Sequence, residues 1–94
     1  MEKNIIEEAR LKKYFEITGK ALNAAKKAIN RKKRKDALIV IDMCQRYYDD
    51  ALFFYNKGDY VNAFAALNYS HGWIDAGSRL GLFDVKDSKL FVVK

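Results

Sequence analysis

"NKGDY", residues 56–60, separates two runs of apolar residues and fixes how they meet. Gly58 can take the left-handed backbone that ends one helix, and Asp59 can accept from the first amides of the next. A connection this short forces its flanking helices into an antiparallel hairpin. Upstream, Val40, Cys44, Tyr47, Ala51 and Phe54 recur at steps of four and three, with Ile41, Tyr48, Leu52 and Tyr55 beside them. That spacing marks one apolar stripe on a helix. Asp42, Gln45, Arg46, Asp49 and Asp50 fall on its opposite face, Asp42 and Arg46 one turn apart.

Downstream, a third helix is expected over residues 59–80, stopped by Gly81 with Leu82 supplying the apolar contact of a Schellman end. It is apolar or small around most of its circumference (Phe64, Leu67, Tyr69, Trp73, Ile74, Leu80), which predicts the most buried helix of the chain. Trp73, Ile74 and Leu80 read as packing residues. Gly72 and Gly77 cost up to about 1 kcal/mol each inside a helix relative to alanine, so each predicts a close approach by a neighbouring backbone or ring.

Upstream of the hairpin, Leu11, Phe15, Thr18, Leu22, Ala25 and Ile29 form a further stripe, giving a first helix over about 3–30. "NRKKRK", residues 30–35, reads as a loop, and Asp36 as the N-cap of the second helix, 36–57. The tail, 82–94, holds two β-favouring pieces, 82–85 and 90–93, expected to lie on the bundle through Phe83 and Phe91. The expected fold is all-α: one domain, residues 1–94, a three-helix up-and-down antiparallel bundle with a short extended or hairpin-like C-terminal tail.

Composition bounds the function. The single cysteine, Cys44, can form no intramolecular disulfide and sits on an apolar face, so a reducing cytoplasm is the expected setting. Residues 1–8 carry three glutamates, and no stretch offers the eighteen or so uncharged apolar residues of a membrane span, so neither a signal peptide nor a membrane helix is expected. No phosphate-binding glycine loop, nucleophile elbow or paired-carboxylate motif is present, and no cofactor is expected. Catalysis is disfavoured on that inventory.

Two groups of residues are candidates for contact with something else. The net charge of +6 is unevenly placed, residues 1–35 carrying +8 and the rest −2. Lys26, Lys27, Arg31, Lys32, Lys33, Arg34 and Lys35 crowd into ten positions, either a solvated face or an anion-binding segment that would contact RNA or DNA backbone phosphates. No aromatic residue interrupts this run, which argues against base stacking. Asn68, His71, Asp75 and Arg79 lie at steps of three, four and four on one stripe of the third helix, either a structural polar network or a contact with a ligand, partner or metal. His71 and Asp75, spaced i and i+4, are the pair a metal-dependent enzyme would use, yet a bundle metal site needs further ligands from other helices.

The run from Tyr47 to Val85 resembles the archaeal domain-of-unknown-function family 357, whose members share a KGD turn and a helix patterned A-x-N-Y-x-H-G-x-x-D-A-G-x-R-x-G. Here those letters are Lys57, Gly58 and Asp59, then Ala66, Asn68, Tyr69, His71, Gly72, Asp75, Ala76, Gly77, Arg79 and Gly81, and "DSKLF" at 87–91 is similar to the family's tail. The resemblance implies a three-helix up-and-down bundle in an archaeal cytoplasm and implies no activity. The Arg-to-His spacing of HEPN-type ribonucleases is absent, the nearest arginine upstream of His71 being Arg46. The functional expectation is a non-catalytic binding or scaffolding module that forms a homo-oligomer or meets a protein partner. The alternative is a nucleic-acid accessory binder working through residues 26–35.

Overall fold

A computed structural model describes residues 7–84 and shows three α-helices: α1 (Glu8–Lys27), α2 (Arg34–Asn56) and α3 (Tyr60–Arg79), with a 3₁₀ turn at Arg31–Lys33 before α2. They form the compact three-helix bundle expected. The α2–α3 turn follows the reading of NKGDY atom by atom. Gly58 has φ +77°. Its amide donates to Tyr55 O and the Asp59 amide to Phe54 O, the paired bonds of a Schellman end. Asp59 Oδ1 then accepts from the Asn62 amide at 3.2 Å and opens α3. The far end of α3 repeats the device. Gly81 has φ +74°, its amide donates to Ser78 O, and Leu82 donates to Gly77 O. Leu82 is buried beneath it.

Two apolar clusters make the core. Near the α2–α3 turn, Leu11 and Phe15 meet Ala51, Ala63, Ala66 and Leu67. At the other end, Ala21, Leu22 and Ala25 meet Val40, Ile41, Cys44, Ile74, Leu82 and Phe83. Polar side chains are buried between them: Thr18 on α1 and Ser70 on α3. The Ser70 hydroxyl donates to the Cys44 carbonyl at 2.8 Å, which leaves the Cys44 thiol, 3.2 Å away, to donate to Ser70 Oγ. Burial pushes the Cys44 thiol up from its ordinary pKa, the inert state expected of a cysteine facing a core.

Several expectations are corrected. α1 stops at Lys27 instead of continuing to residue 30, because Ala28 and Asn30 form backbone bonds with the returning chain: Asn30 N to Leu82 O at 2.9 Å and Asp84 N to Ala28 O at 2.7 Å. Ile29 and Phe83 make an antiparallel bridge there. The first tail segment therefore pairs with the α1–α2 connection, and the expected second piece, 90–93 with Phe91, lies outside the described residues. Asp36 does not cap α2, which begins two residues earlier. Asn30 instead caps the 3₁₀ turn by accepting from the Lys32 amide. The α3 helix has the fewest exposed positions of the three, as expected, yet Val61, Tyr69 and the C-cap Leu80 are 52, 64 and 64 % exposed. Leu80 thus leaves the packing set, whereas Ile74 is fully buried and Trp73 packs partly against the core.

The two helical glycines part company. A Cβ at Gly77 would lie 2.6 Å from Phe83 Cε2 and 3.0 Å from Val40 Cγ1, so the close approach is real. A Cβ at Gly72 would meet nothing within 4 Å among the described residues, and the expected close approach is not found there. Gly77→Ala should therefore lower unfolding free energy by about 1–3 kcal/mol, the overpacking cost exceeding alanine's gain in helix propensity. Gly72→Ala at low protein concentration should leave stability unchanged or raise it by up to ~1 kcal/mol. Urea titrations of the two variants check the pair.

Candidate functional site

Residue Thr18 occupies a stripe position of α1 and turns its hydroxyl toward α3, where His71 Nδ1 lies 3.2 Å away. On the other side of the imidazole, Nε2 is 3.5 Å from Asp75 Oδ1, both side chains being 22 % exposed. A neutral His71 with its proton on Nε2 satisfies both contacts, accepting from Thr18 and donating toward Asp75. A cleft of about 260 Å³ opens over this line, walled by Tyr14 and Ile17 of α1 and by Leu67, Asn68 and Gly72 of α3. Tyr14 is held by Phe64, their ring centroids 5.2 Å apart.

The stripe read from the sequence is thus divided. His71 and Asp75 are brought together against α1, Asn68 stands exposed at the cleft rim, and Arg79 is exposed beyond the cleft. Thr18, Tyr14 and Ile17, the opposite wall, were not among the candidates. The only signal for Thr18 was a hydroxyl at an apolar stripe position. Among the described residues no group of three or more His, Cys, Asp or Glu is placed to hold a metal ion. The arrangement can accept and donate hydrogen bonds to a small neutral group, and the hydroxyl that faces His71 belongs to Thr18, only 3 % exposed.

The second candidate is the basic end. Residues 26–35 are not confined to a helix end and a loop. They run from the last turn of α1 through the 3₁₀ turn into the first turn of α2. Lys33 Nζ donates to Leu80 O at 2.8 Å and so caps the C-terminus of α3. Lys26 Nζ donates to Gln45 Oε1 at 2.9 Å, leaning on α2. Lys27, Arg31, Lys32, Arg34 and Lys35 are exposed. The carboxylate pairs of lysine and arginine found among the described residues lie elsewhere, at Glu8–Lys12, Glu16–Lys20 and Asp42–Arg46. Asn30, which the sequence presented only as a loop residue, ties this end together: its side chain accepts from the Lys32 amide and donates to Gly81 O at 2.9 Å.

A third surface was not a candidate at all. Along the outer side of α3, Val61, Ala65, Tyr69, Gly72, Ala76 and Leu80 are all exposed, and none is charged. The Tyr69 ring stacks on Tyr47 of α2 at 5.4 Å, and a shallow depression runs beside it, lined by Gly72, Trp73 and Ala76. Its signal in the sequence is a helix apolar all round.

A family model described as protein of unknown function (DUF357) matches residues 13–83. The match covers most of the chain, and the protein belongs to that family. No curated protein and no solved structure matches it. No helix among the described residues is long and apolar enough to cross a membrane.

The basic end contains both structural and solvent-facing groups, and stability separates them. Asn30→Ala should lower unfolding free energy by about 1–2 kcal/mol through its lost bonds to Lys32 N and Gly81 O. Arg31→Ser and Lys32→Ser should each stay within about 0.5 kcal/mol, as measured by thermal or urea unfolding.

Proposed function

We propose that this chain is a non-catalytic binding module in a reducing cytoplasm, and that the surface meeting its partner is the outer side of α3. The observation that carries this reading is a run of exposed, uncharged positions from Val61 to Ala76, ahead of the exposed Arg79. In a chain with 32 % charged residues, the exposed positions Val61, Ala65, Tyr69, Gly72 and Ala76 offer no lysine, arginine, aspartate or glutamate over four helical turns. A solvated helix face normally collects such groups, as the outer face of α2 does with Asp42, Arg46, Asp49 and Asp50. Contiguous exposed apolar surface marks interaction sites. Gly72 agrees with this reading, because nothing among the described residues approaches it closely enough to offset its helix cost.

Oxidative footprinting tests the reading. Tyr69 should be modified readily in dilute purified protein and be protected in concentrated protein or in a lysate of its native cells. Equal modification rates in all three conditions would sink the proposal.

A second reading rests on the basic end. Lys27, Arg31, Lys32, Arg34 and Lys35 are exposed at one pole of the bundle, which supports binding to a nucleic-acid backbone through counterion release. Replacing these five with serine spares Lys33, which caps α3. Wild-type protein should then show a gel shift whose logarithmic affinity falls with logarithmic salt at a slope of about −3 to −5, and the variant should lose it with its helical signal intact. No shift by the wild-type protein at low salt would remove this reading.

A further inference from the structure

The outer face of α3 has an internal symmetry that points to its occupant. Val61, Ala65, Tyr69, Gly72, Ala76 and Leu80 follow steps of four, four, three, four and four, a series that reads the same in both directions. Turned end over end and laid on itself, the helix sets Val61 against Leu80, Ala65 against Ala76 and Tyr69 against Gly72, each pair twice. We infer that a second copy of this chain covers this face, the two α3 helices packing antiparallel across a twofold axis between Tyr69 and Gly72. This rests on the binding-surface reading above and names its partner.

The sizes of the side chains fit that arrangement. Two packed helices cross at an angle, so their axes are nearest at the crossing point and splay toward the ends. Gly72, Ala65 and Ala76 stand near the crossing point, where little room is available, and Val61 and Leu80 stand at the ends, where the gap widens. The Tyr69 ring, braced by Tyr47 at 5.4 Å, faces the notch that Gly72 leaves open, since among the described residues no neighbour outside its own helix turn lies within 4 Å of a Cβ placed there. A parallel pair would instead set Tyr69 beside Tyr69 and Gly72 beside Gly72, crowding one level and leaving a void at the next. Isologous contact of this kind, residue i on j and j on i, is what a twofold axis demands.

Charge leaves this face open to the same occupant. Two molecules of net charge +6 repel, and this face, whose charged residue is Arg79 near one end, is where they approach at least cost. In the antiparallel register Arg79 meets the level of Asn62, and Asp75 that of Ala66, so no like charges are opposed. The contact is small. Val61 to Leu80 spans about 28 Å of helix and about 10 Å of width, short of the roughly 800 Å² per partner of a stable complex. The dimer is therefore concentration-dependent, and salt, by screening the net repulsion, strengthens it. Polyanion binding would respond to salt in the opposite sense.

Cysteine placement tests the register, because Ala65 and Ala76 are exposed and Cys44 is fully buried. The double variant Ala65→Cys with Ala76→Cys should form covalent dimers on mild oxidation. The single variant Ala65→Cys should not, since its two copies would lie about 16 Å apart along the paired helices, beyond the roughly 7 Å that a disulfide spans between Cα atoms. Sedimentation of the wild-type chain should show dimer forming at roughly tens of micromolar, more at high salt, and Gly72→Glu should abolish it with helical content unchanged. Cross-linking of Ala65→Cys alone as efficiently as the double variant would overturn the antiparallel register. A wild-type monomer at every concentration and salt would overturn the dimer. With Tyr69 still protected in that purified monomer, residues 85–94 of the same chain would be the cover. With Tyr69 protected only in lysate, the binding-surface reading would stand and the second copy would be replaced by another partner.

Discussion

The connection Lys57–Asp59 is the constraint on which the other contacts depend. Three residues between helices leave no freedom to slide, and the two backbone bonds to Phe54 O and Tyr55 O, together with the Asp59 cap, fix where α2 ends and α3 begins. From that start the register of the hairpin follows turn by turn. Tyr47 meets Tyr69, Cys44 meets Ser70, and Val40 meets Gly77. At Gly77 the helices admit the Phe83 ring of the returning chain, which bridges to Ile29. The stop of α1, the 3₁₀ turn and the placement of the basic residues are all downstream of this.

The α1 helix adds the third side and determines which face of α3 is left uncovered. It lies parallel to α3, with Tyr14 on Phe64 and Thr18 on His71, and antiparallel to α2, with Tyr48 edge-on to Phe15 and Tyr55 donating to Glu8 at 2.6 Å. That last bond holds the Glu8 carboxyl below, and the Tyr55 hydroxyl above, their ordinary pKa values. Two helices can cover only part of the circumference of a third. The side of α3 that faces neither is where the charge-free row stands.

What the sequence disclosed and what it hid both have physical reasons. Turn chemistry is local, so Gly58, Asp59, Gly81 and Leu82 were readable from a few letters. Helical period is nearly local, so the buried face of α2, Cys44 included, was readable too. Tertiary return was not. Asn30 acquires its role only because Gly81 and Leu82 come back beside it, fifty residues later, and Asp36 lost its capping role because that contact starts α2 early. The error at Leu80 and Gly72 is of another kind. Period shows that a helix is apolar all round without saying how many neighbours the chain provides, and the described residues provide two. The candidate stripe fared similarly: its own spacing brought His71 to Asp75, but its partner on α1 was concealed as one more member of an apolar stripe, Thr18.

The central claim is that the outer row of α3 is a surface made to be covered by its own twin. Amide chemical shifts followed from a few micromolar to roughly a millimolar in chain concentration test it most directly, a range chosen to bracket a weak interface. The account predicts saturable changes confined to one face of α3, centred on Tyr69 and Gly72 and fading toward Val61 and Leu80, with residues 26–35 and the outer face of α2 unmoved. Shifts independent of concentration, or changes centred on the basic end instead, would contradict it.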